Sequence, residues 1–550
     1  MADVHTMKVF LRRLFYWTGY LARGPIILYV LVIGLAVYGA MLRWAGIARS
    51  LWLDEAWVAN SVLAKSLAGM FYYESWLQSS PPLFLLLVRF AVAIFGLSNT
   101  VLRLVPLLMG IAAAISMLFL ATKIVSRQYA LLAWTLFVLS PVAIDYSRIL
   151  KQYSSELAAS ATILLACALY LKTPANRRFW LLVATIAAGL LCGYAIAFLL
   201  PGIVFMIWMS PDRRTTAAKT AFNASSRIGR IVILTAIASG ILFGEYALLV
   251  KPNSPEVLRF AWAKKNKDVH SFAALAATET YDLLSDLPLP HRLQKETVLL
   301  GGGVSLITLG LILAWLRFRK GRRKWLLIHV LCLLPCVLLI VCDWFTLYPF
   351  TERTSLFLLS CVIMLLVSSA QLASYFVLLG RRDWIRPLLS VVILGAILFT
   401  IKAGRRDLGG YRQPIEDMDG AVSFLHSHVQ PADFLWVHAS TTEAFKLYAR
   451  MGKWLDAPAH FGKTGWPCCA RGIPNTQDTS SEPLVRSDFG GALPHNFSGR
   501  VWLLYTTRPE HWQTFVDEPR IMQAILLEKG CTLTPGATFR NIEVAAFDCR

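Results

Sequence analysis

Acidic side chains are scarce, with 33 Asp and Glu against 54 Lys and Arg, and only 16% of the 550 residues are charged. Hydrophobic residues make up 56% of the chain and the mean hydropathy is +0.54, an apolar weight that a soluble domain of this size rarely carries. No Cys-x-x-Cys pair or His-rich spacing is present, so no structural zinc is expected. No nucleic-acid-binding module is visible either. The net charge of +21 therefore reads as Lys and Arg collected in cytoplasmic loops, with no nucleic acid as partner. No small-residue cleavage site follows the first apolar run, Pro25 to Trp44, which Arg12, Arg13 and Arg23 precede. That absence excludes a cleavable signal peptide and leaves the run as an anchor. The chain also shows no internal repeat of the kind on which many transporters are built.

Long apolar stretches are what the chain does have. A helix needs roughly 20 apolar residues to cross the hydrocarbon. Eleven spans are predicted: Pro25–Trp44, Leu102–Ala121, Tyr129–Ile144, Leu157–Leu171, Phe179–Cys192, Ala195–Met209, Ile231–Val250, Thr297–Leu316, Trp325–Val341, Ser355–Phe376 and Leu388–Ile401. Basic clusters fall on alternate gaps between them: Arg12/Arg13, Lys123/Arg127, Lys172/Arg177/Arg178, Arg213 to Arg230, Arg317 to Lys324, and Arg381 to Arg386. All lie on one side of the membrane if the N-terminus is cytoplasmic. That parity makes Pro82–Gly96, about 15 residues beginning with Pro81-Pro82, a helix in the outer interface and not a span. It also divides Phe179–Met209 into two short helices joined near Gly193-Tyr194, beside a polar cavity.

Odd parity puts everything after Ile401 outside. The expected architecture is a polytopic α-helical membrane domain over 1–402 and a C-terminal periplasmic α/β domain over 403–550. In the latter, Phe434–His438 and Val501–Tyr505 read as strands, Thr442–Met451 and Pro519–Lys529 as helices, Gly462–Pro494 as loop, and Cys531–Cys549 as a hairpin. Six cysteines sit in or beside spans and read as packing residues. Cys468, Cys469, Cys531 and Cys549 lie outside, where disulfides are permitted; their pairing is open.

Ionisable residues gather in the outer loops. The first holds Asp54, Glu55 and Glu74, the second Asp145, Tyr146, Arg148, Lys151, Tyr153 and Glu156, and the last Asp343, Tyr348, Glu352 and Arg353. A carboxylate can take a proton from an acceptor hydroxyl or amine. Arg and Lys can hold a phosphate and stabilise the charge left on it when a sugar departs. The division suits glycosyl transfer from a lipid-linked phosphate. Plainer readings stand beside it. Asp54 and Glu55 could cap a helix starting near Ala56. Asp145 could be an end-of-span anchor, and Glu156 the ordinary charge at a span's start. Arg148 and Lys151 could meet lipid headgroups, and Arg89 could snorkel.

Several segments in order resemble the GT-C glycosyltransferases, specifically the family 39 group of protein O-mannosyltransferases and the lipid A aminoarabinose transferase. They are Leu51-Trp52-Leu53-Asp54-Glu55-Ala56; Ser80-Pro81-Pro82-Leu83 with Phe95-Gly96 and Leu102-Arg103-Leu104-Val105-Pro106; Tyr146-Ser147-Arg148 with Lys151-Gln152-Tyr153; and Tyr348-Pro349 with Glu352-Arg353. Ser80 stands where the family usually has His, and Ser360 where it commonly has Pro. The resemblance implies an inverting transfer from a polyprenyl-phosphate sugar on the outer face of a bacterial cytoplasmic membrane. It implies Asp54 as base, with Glu55 positioning or polarising and Asp145 a further catalytic candidate. Arg148, Lys151 and Arg353 would hold the donor phosphate. Glu74, Tyr146, Tyr153, Tyr194, Tyr348 and Glu352 are candidate substrate contacts. The acceptor is a lipid, glycan or protein. No cofactor is demanded, although a carboxylate-rich loop could hold a divalent metal.

Two other function classes compete. A transporter or flippase would place polar groups near mid-membrane, whereas these gather at one face. A non-catalytic assembly or sensor protein would not need an acidic pair beside basic phosphate ligands. An undecaprenyl-pyrophosphate ligase or polymerase is the nearest alternative among enzymes.

Overall fold

The computed structural model describes residues 25–73, 80–209, 221–251, 277–281 except 279, 296–319, 323–377 except 346, 395, 413–454, 458–462, 482–507 except 495, and 518–550. The membrane part runs α1 (Pro25–Trp44), α2 (Leu53–Val62), α3 (Leu67–Phe71), α4 (Pro82–Phe95), α5 (Asn99–Leu102), α6 (Leu104–Ile124), α7 (Arg127–Val138), α8 (Pro141–Tyr146), α9 (Tyr153–Lys172) and α10 (Asn176–Cys192). A 3-10 segment (Tyr194–Leu199) leads into α11 (Leu200–Met209). Then come α12 (Ala221–Glu245), α13 (Glu296–Arg319), α14 (Lys324–Trp344), the single turn α15 (Glu352–Ser355) and α16 (Leu359–Val377).

Among the described residues, six helices are long and apolar enough to cross a membrane: those within 104–124, 153–172, 227–250, 300–319, 324–344 and 352–376. Shorter apolar helices (Val30–Trp44, Pro82–Phe95 and Tyr194–Met209) accompany them. On α1 the exposed side chains Val30, Ile33, Val37 and Met41 form an apolar stripe suited to lipid. The eleventh predicted span lies outside the described residues, Gly395 excepted.

The predicted span Tyr129–Ile144 is not one helix. It breaks into α7 and α8, because Pro141 lacks an amide hydrogen to continue α7 and instead opens α8, where the Ser140 hydroxyl accepts from the Ala143 N–H at 3.4 Å. The helix expected over Pro82–Gly96 is present as α4. Pro82 occupies its first turn, and Gly96, at φ +81°, ends it in a backbone conformation that favours glycine. The predicted break at Gly193-Tyr194 is present as the junction between α10 and the 3-10 segment.

From residue 413 onward the chain forms an α/β unit: α17 (Met418–His428), β1 (Phe434–Val437), α18 (Ala439–Tyr448), β2 (Ala459–Phe461), α19 (Glu482–Ala492), β3 (Gly499–Thr506), α20 (Glu518–Glu528), β4 (Thr532–Phe539) and β5 (Ile542–Cys549). The sheet order is β2-β1-β3-β5-β4. β1 pairs in parallel with β2 and β3, while β5 runs antiparallel to β3 and β4. All four β1 residues are buried, as expected of a parallel strand covered on both faces. The expected terminal hairpin is β4–β5, and Cys531 is bridged to Cys549 across its ends. The expectation of loop over Gly462–Pro494 fails at α19. There Val485 and Phe489, four apart, bury themselves against the sheet and make a helix of a polar-looking stretch. Cys468 and Cys469 lie outside the described residues.

Candidate functional site

The site is built on α2, and every residue of α2 is buried. A helix containing Asp54, Glu55, Asn60 and Ser61 can be buried on all sides only if each polar group finds a partner. Glu55 finds Arg103, which precedes α6. The Arg103 Nε donates to Glu55 Oε1 at 2.7 Å and Nη2 to Oε2 at 2.6 Å, and neither side chain is exposed. The Leu150 N–H adds a bond to Oε1 at 2.7 Å. Arg103 also donates to the carbonyls of Ile47, Arg49 and Ser50. One bidentate pair thus ties together the first loop, the start of α6 and the second loop. Both oxygens of Glu55, expected to be catalytic, are engaged within the protein.

Neither Asp54 nor Glu55 caps the helix. The N-cap is Trp52, with no side-chain cap bond. The Leu53 N–H is instead met at 3.2 Å by Oε2 of Glu416, from the α/β unit. Other contacts join α2 to that unit. The Tyr448 hydroxyl accepts from the Leu51 N–H at 2.8 Å and lies 3.1 Å from the Ser50 hydroxyl. Burial pushes the Tyr448 phenol up to about 12, so it stays neutral. The Asn60 amide donates to the carbonyl of Glu443 at 2.8 Å and to its carboxylate at 3.0 Å, and the Tyr73 hydroxyl donates to the same carboxylate at 2.7 Å. Sequence reasoning missed Glu416, Glu443 and Tyr448, which carry no local signal. Arg103 lay within a quoted motif, and its signal was an arginine placed just before an apolar run.

Asp54 has a different neighbourhood. Its Oδ2 lies 3.7 Å from the Lys151 Nζ and 3.5 Å from the Arg353 Nη1. Lys151 is buried and Arg353 half exposed. Burial, followed by the Arg353 charge, pulls the Lys151 ammonium below its usual range, while Asp54 and Glu55 oppose the shift. Arg353 is carried on α15, which a capping box between Thr351 and Thr354 holds in place. The preceding loop is folded by Asp343, whose Oδ1 accepts from the Phe350 N–H at 2.9 Å. The fold therefore brings together three residues from three loops far apart in the chain.

The other expected residues divide. Asp145, partly exposed, pairs with Arg148. Arg148 is wholly buried and also donates to the Ala45 carbonyl at 2.9 Å. Tyr146 and Tyr153 meet edge to face at 5.2 Å. Tyr153 lies within electrostatic reach of Arg353, Asp54 and Glu156. Tyr348 packs edge to face on Phe198 at 5.2 Å. Burial, with the charges of Glu156, Tyr153 and Tyr194, pushes its phenol well above the usual tyrosine range. Glu352 is exposed beside Arg353, and Tyr194 opens the 3-10 segment. Arg89 donates to the Ala64 carbonyl at 3.0 Å, tying α4 to the loop after α2. Glu74 lies outside the described residues. Among the described residues, no group of three His, Cys, Asp or Glu side chains could hold a metal ion.

Residues 79–262 match the family model described as dolichyl-phosphate-mannose-protein mannosyltransferase. The chain is similar to the crystal structure of ArnT from Cupriavidus metallidurans bound to undecaprenyl phosphate. The TM-score is 0.53 at 13% identity, with 95% of this chain and 98% of that chain covered. The apo form of the same protein gives 0.53 at 12% identity, covering 96% and 98%. The Archaeoglobus fulgidus oligosaccharyltransferase in complex with zinc and sulfate gives 0.47 at 12%, covering 85% and 67%. No curated protein sequence matches the chain. The fold is shared with that ArnT, in keeping with the GT-C-like architecture that the motifs had led us to expect.

Proposed function

We propose that this protein is an integral-membrane glycosyltransferase. It moves a sugar from a polyprenyl-phosphate donor to a nucleophilic acceptor at the outer face of the membrane, with inversion at the anomeric carbon. The observation that carries this reading is the seating of the Asp54 carboxylate between Lys151 and Arg353. Asp54 accepts the proton of the acceptor hydroxyl or amine as that atom bonds to the anomeric carbon. The bond from that carbon to the phosphate oxygen breaks on the opposite face. The phosphate, still on its lipid, leaves with an added negative charge, and Lys151 and Arg353 stabilise that charge where it develops. Being half exposed, Arg353 can swing to the phosphate, while Lys151 is held at the floor. Glu55 and Arg103 hold α2 and do not react, and Arg148 braces the second loop.

The family-model match and the fold shared with an ArnT that binds undecaprenyl phosphate support a prenyl-phosphate donor. The Cys531–Cys549 bridge supports placing the C-terminal unit, which we assign to 403–550, in the periplasm, because disulfides persist in oxidising compartments. The parity of the basic loops supports a cytoplasmic N-terminus. The test is to incubate purified protein with a panel of polyprenyl-phospho-sugars and score transfer or hydrolysis. Release of free polyprenyl phosphate from at least one donor is the expected result. Inertness towards the whole panel, in protein shown to be folded, would remove the reading.

A further inference from the structure

Glu156 has no part in the chemistry above, yet it is among the most deeply buried acids of the chain, at 1% exposure. It stands in the first turn of α9, one residue triplet beyond Tyr153 and so about 4.5 Å further along the helix. Its side chain rests against the junction of α10 and the 3-10 segment. A Cβ added to Gly193 would lie 2.0 Å from the Glu156 Cγ and 2.8 Å from its Oε1, so only glycine at 193 leaves room for this carboxyl. The carboxyl takes a hydrogen bond from the Ala195 backbone, while Oε2 has no hydrogen-bond partner among the described residues. A buried acid kept in a space cleared for it, with one oxygen unused, is costly unless a ligand completes it. Tyr153, Tyr194 and Tyr348 all lie within its electrostatic reach or share that of Tyr348, and Tyr153 also reaches Asp54 and Arg353. The carboxyl therefore borders the Asp54 site on the side deeper along α9.

We propose that Glu156, with the phenol groups around it, binds a hydroxyl of the donor's sugar ring and sets which sugar is accepted. This deepens the reading of the chain as a polyprenyl-phosphate-dependent transferase and rests on it. A neutral hydroxyl is favoured over an ammonium because Lys151 and Arg353 already make the neighbourhood cationic. The donor is favoured over the acceptor because its sugar ring is bonded to the phosphate that Lys151 and Arg353 would hold, which keeps that ring beside the Tyr153 and Glu156 flank of the site in every turnover.

The experiment takes the best donor from the panel and its monodeoxy analogues, each lacking one ring hydroxyl. It compares kcat/KM in the wild type, Glu156→Gln, Glu156→Ala and Gly193→Ala. In the wild type, one analogue should be poorer than the parent by roughly 10- to 100-fold. That gap should close to about twofold in Glu156→Ala and in Gly193→Ala, because the missing hydroxyl and the missing or displaced carboxyl report one contact. The near-isosteric Glu156→Gln, which keeps the volume and an acceptor oxygen, should fold and show an intermediate gap. A gap unchanged across folded variants, or one that follows acceptor identity instead, overturns the inference alone. A wild type inert to every donor overturns it together with the proposed function.

Discussion

Glu55 and Arg103, 48 positions apart, form a two-pronged ion pair with no solvent exposure on either side, next to an aspartate that two cations hold from a different direction. The adjacent acids of one motif thus have unlike surroundings, and substitutions at the two positions should fail in unlike ways.

Arg103→Met leaves the Glu55 carboxyl buried without its cation, with only the Leu150 N–H bond remaining. Removing one partner of such a pair costs about 3–5 kcal/mol. The variant should show a sharp fall in thermal stability or in the yield of extractable protein. Wild-type stability would show that the pair holds nothing together.

Asp54→Asn removes the proposed base and keeps the shape of α2. Turnover should drop by about 10²- to 10⁴-fold while insertion and melting temperature stay near wild type. Ordinary turnover by purified Asp54→Asn would end the assignment of Asp54 as base.

Arg353→Ala should raise the donor KM and leave the fold intact, since half of this side chain meets solvent and its turn is held by the Thr351–Thr354 box. Donor affinity can be read by titration with polyprenyl phosphate alone. An unchanged affinity would reject Arg353 as a phosphate ligand.

Lys151 gives a pH signature. Burial favours the neutral amine, so the folded-state pKa lies below that of a free lysine. As pH rises through that lowered value, the cation disappears and with it the proposed hold on the donor phosphate, so activity should fall on the alkaline side. Lys151→Arg keeps its charge there and should carry the alkaline limb to higher pH. Superimposable limbs for the two proteins would show that Lys151 does not control it.

Tyr448→Phe deletes the hydroxyl that accepts from the Leu51 N–H beside the acidic motif. An unsatisfied buried amide costs about 1–3 kcal/mol. The variant should lose that much stability, and kcat should fall with KM for the donor little changed. A kcat equal to wild type would mean that Asp54 does not depend on this support.

Apolar periodicity and charge placement made the membrane helices legible, because a bilayer forces long uninterrupted runs and the positive-inside bias marks the loops between them. The Tyr129–Ile144 prediction went wrong where Pro141, inside an apolar run, outweighed hydropathy. The polar composition of residues 482–492 concealed a helix whose buried face consists of only a few side chains. Asp54, Lys151 and Arg353 were each picked out in the chain, and the resemblance assigned them to one site, but the direct contacts of both cations with the Asp54 carboxylate were not legible, since three loops converge only through the fold. Glu156 shows the opposite limit. A charge at the start of a span looks ordinary until Gly193, at the junction of α10 and the 3-10 segment, proves to be where a Cβ would collide with it.

Glu416, which meets the first amide of the helix bearing Asp54, is translated 363 positions after that amide. During synthesis the helix that bears Asp54 is therefore made long before the carboxylate that meets its first amide. A chain released before Glu416 is added leaves that amide without its partner, so the helix should settle into its final position only once the α/β unit has been made.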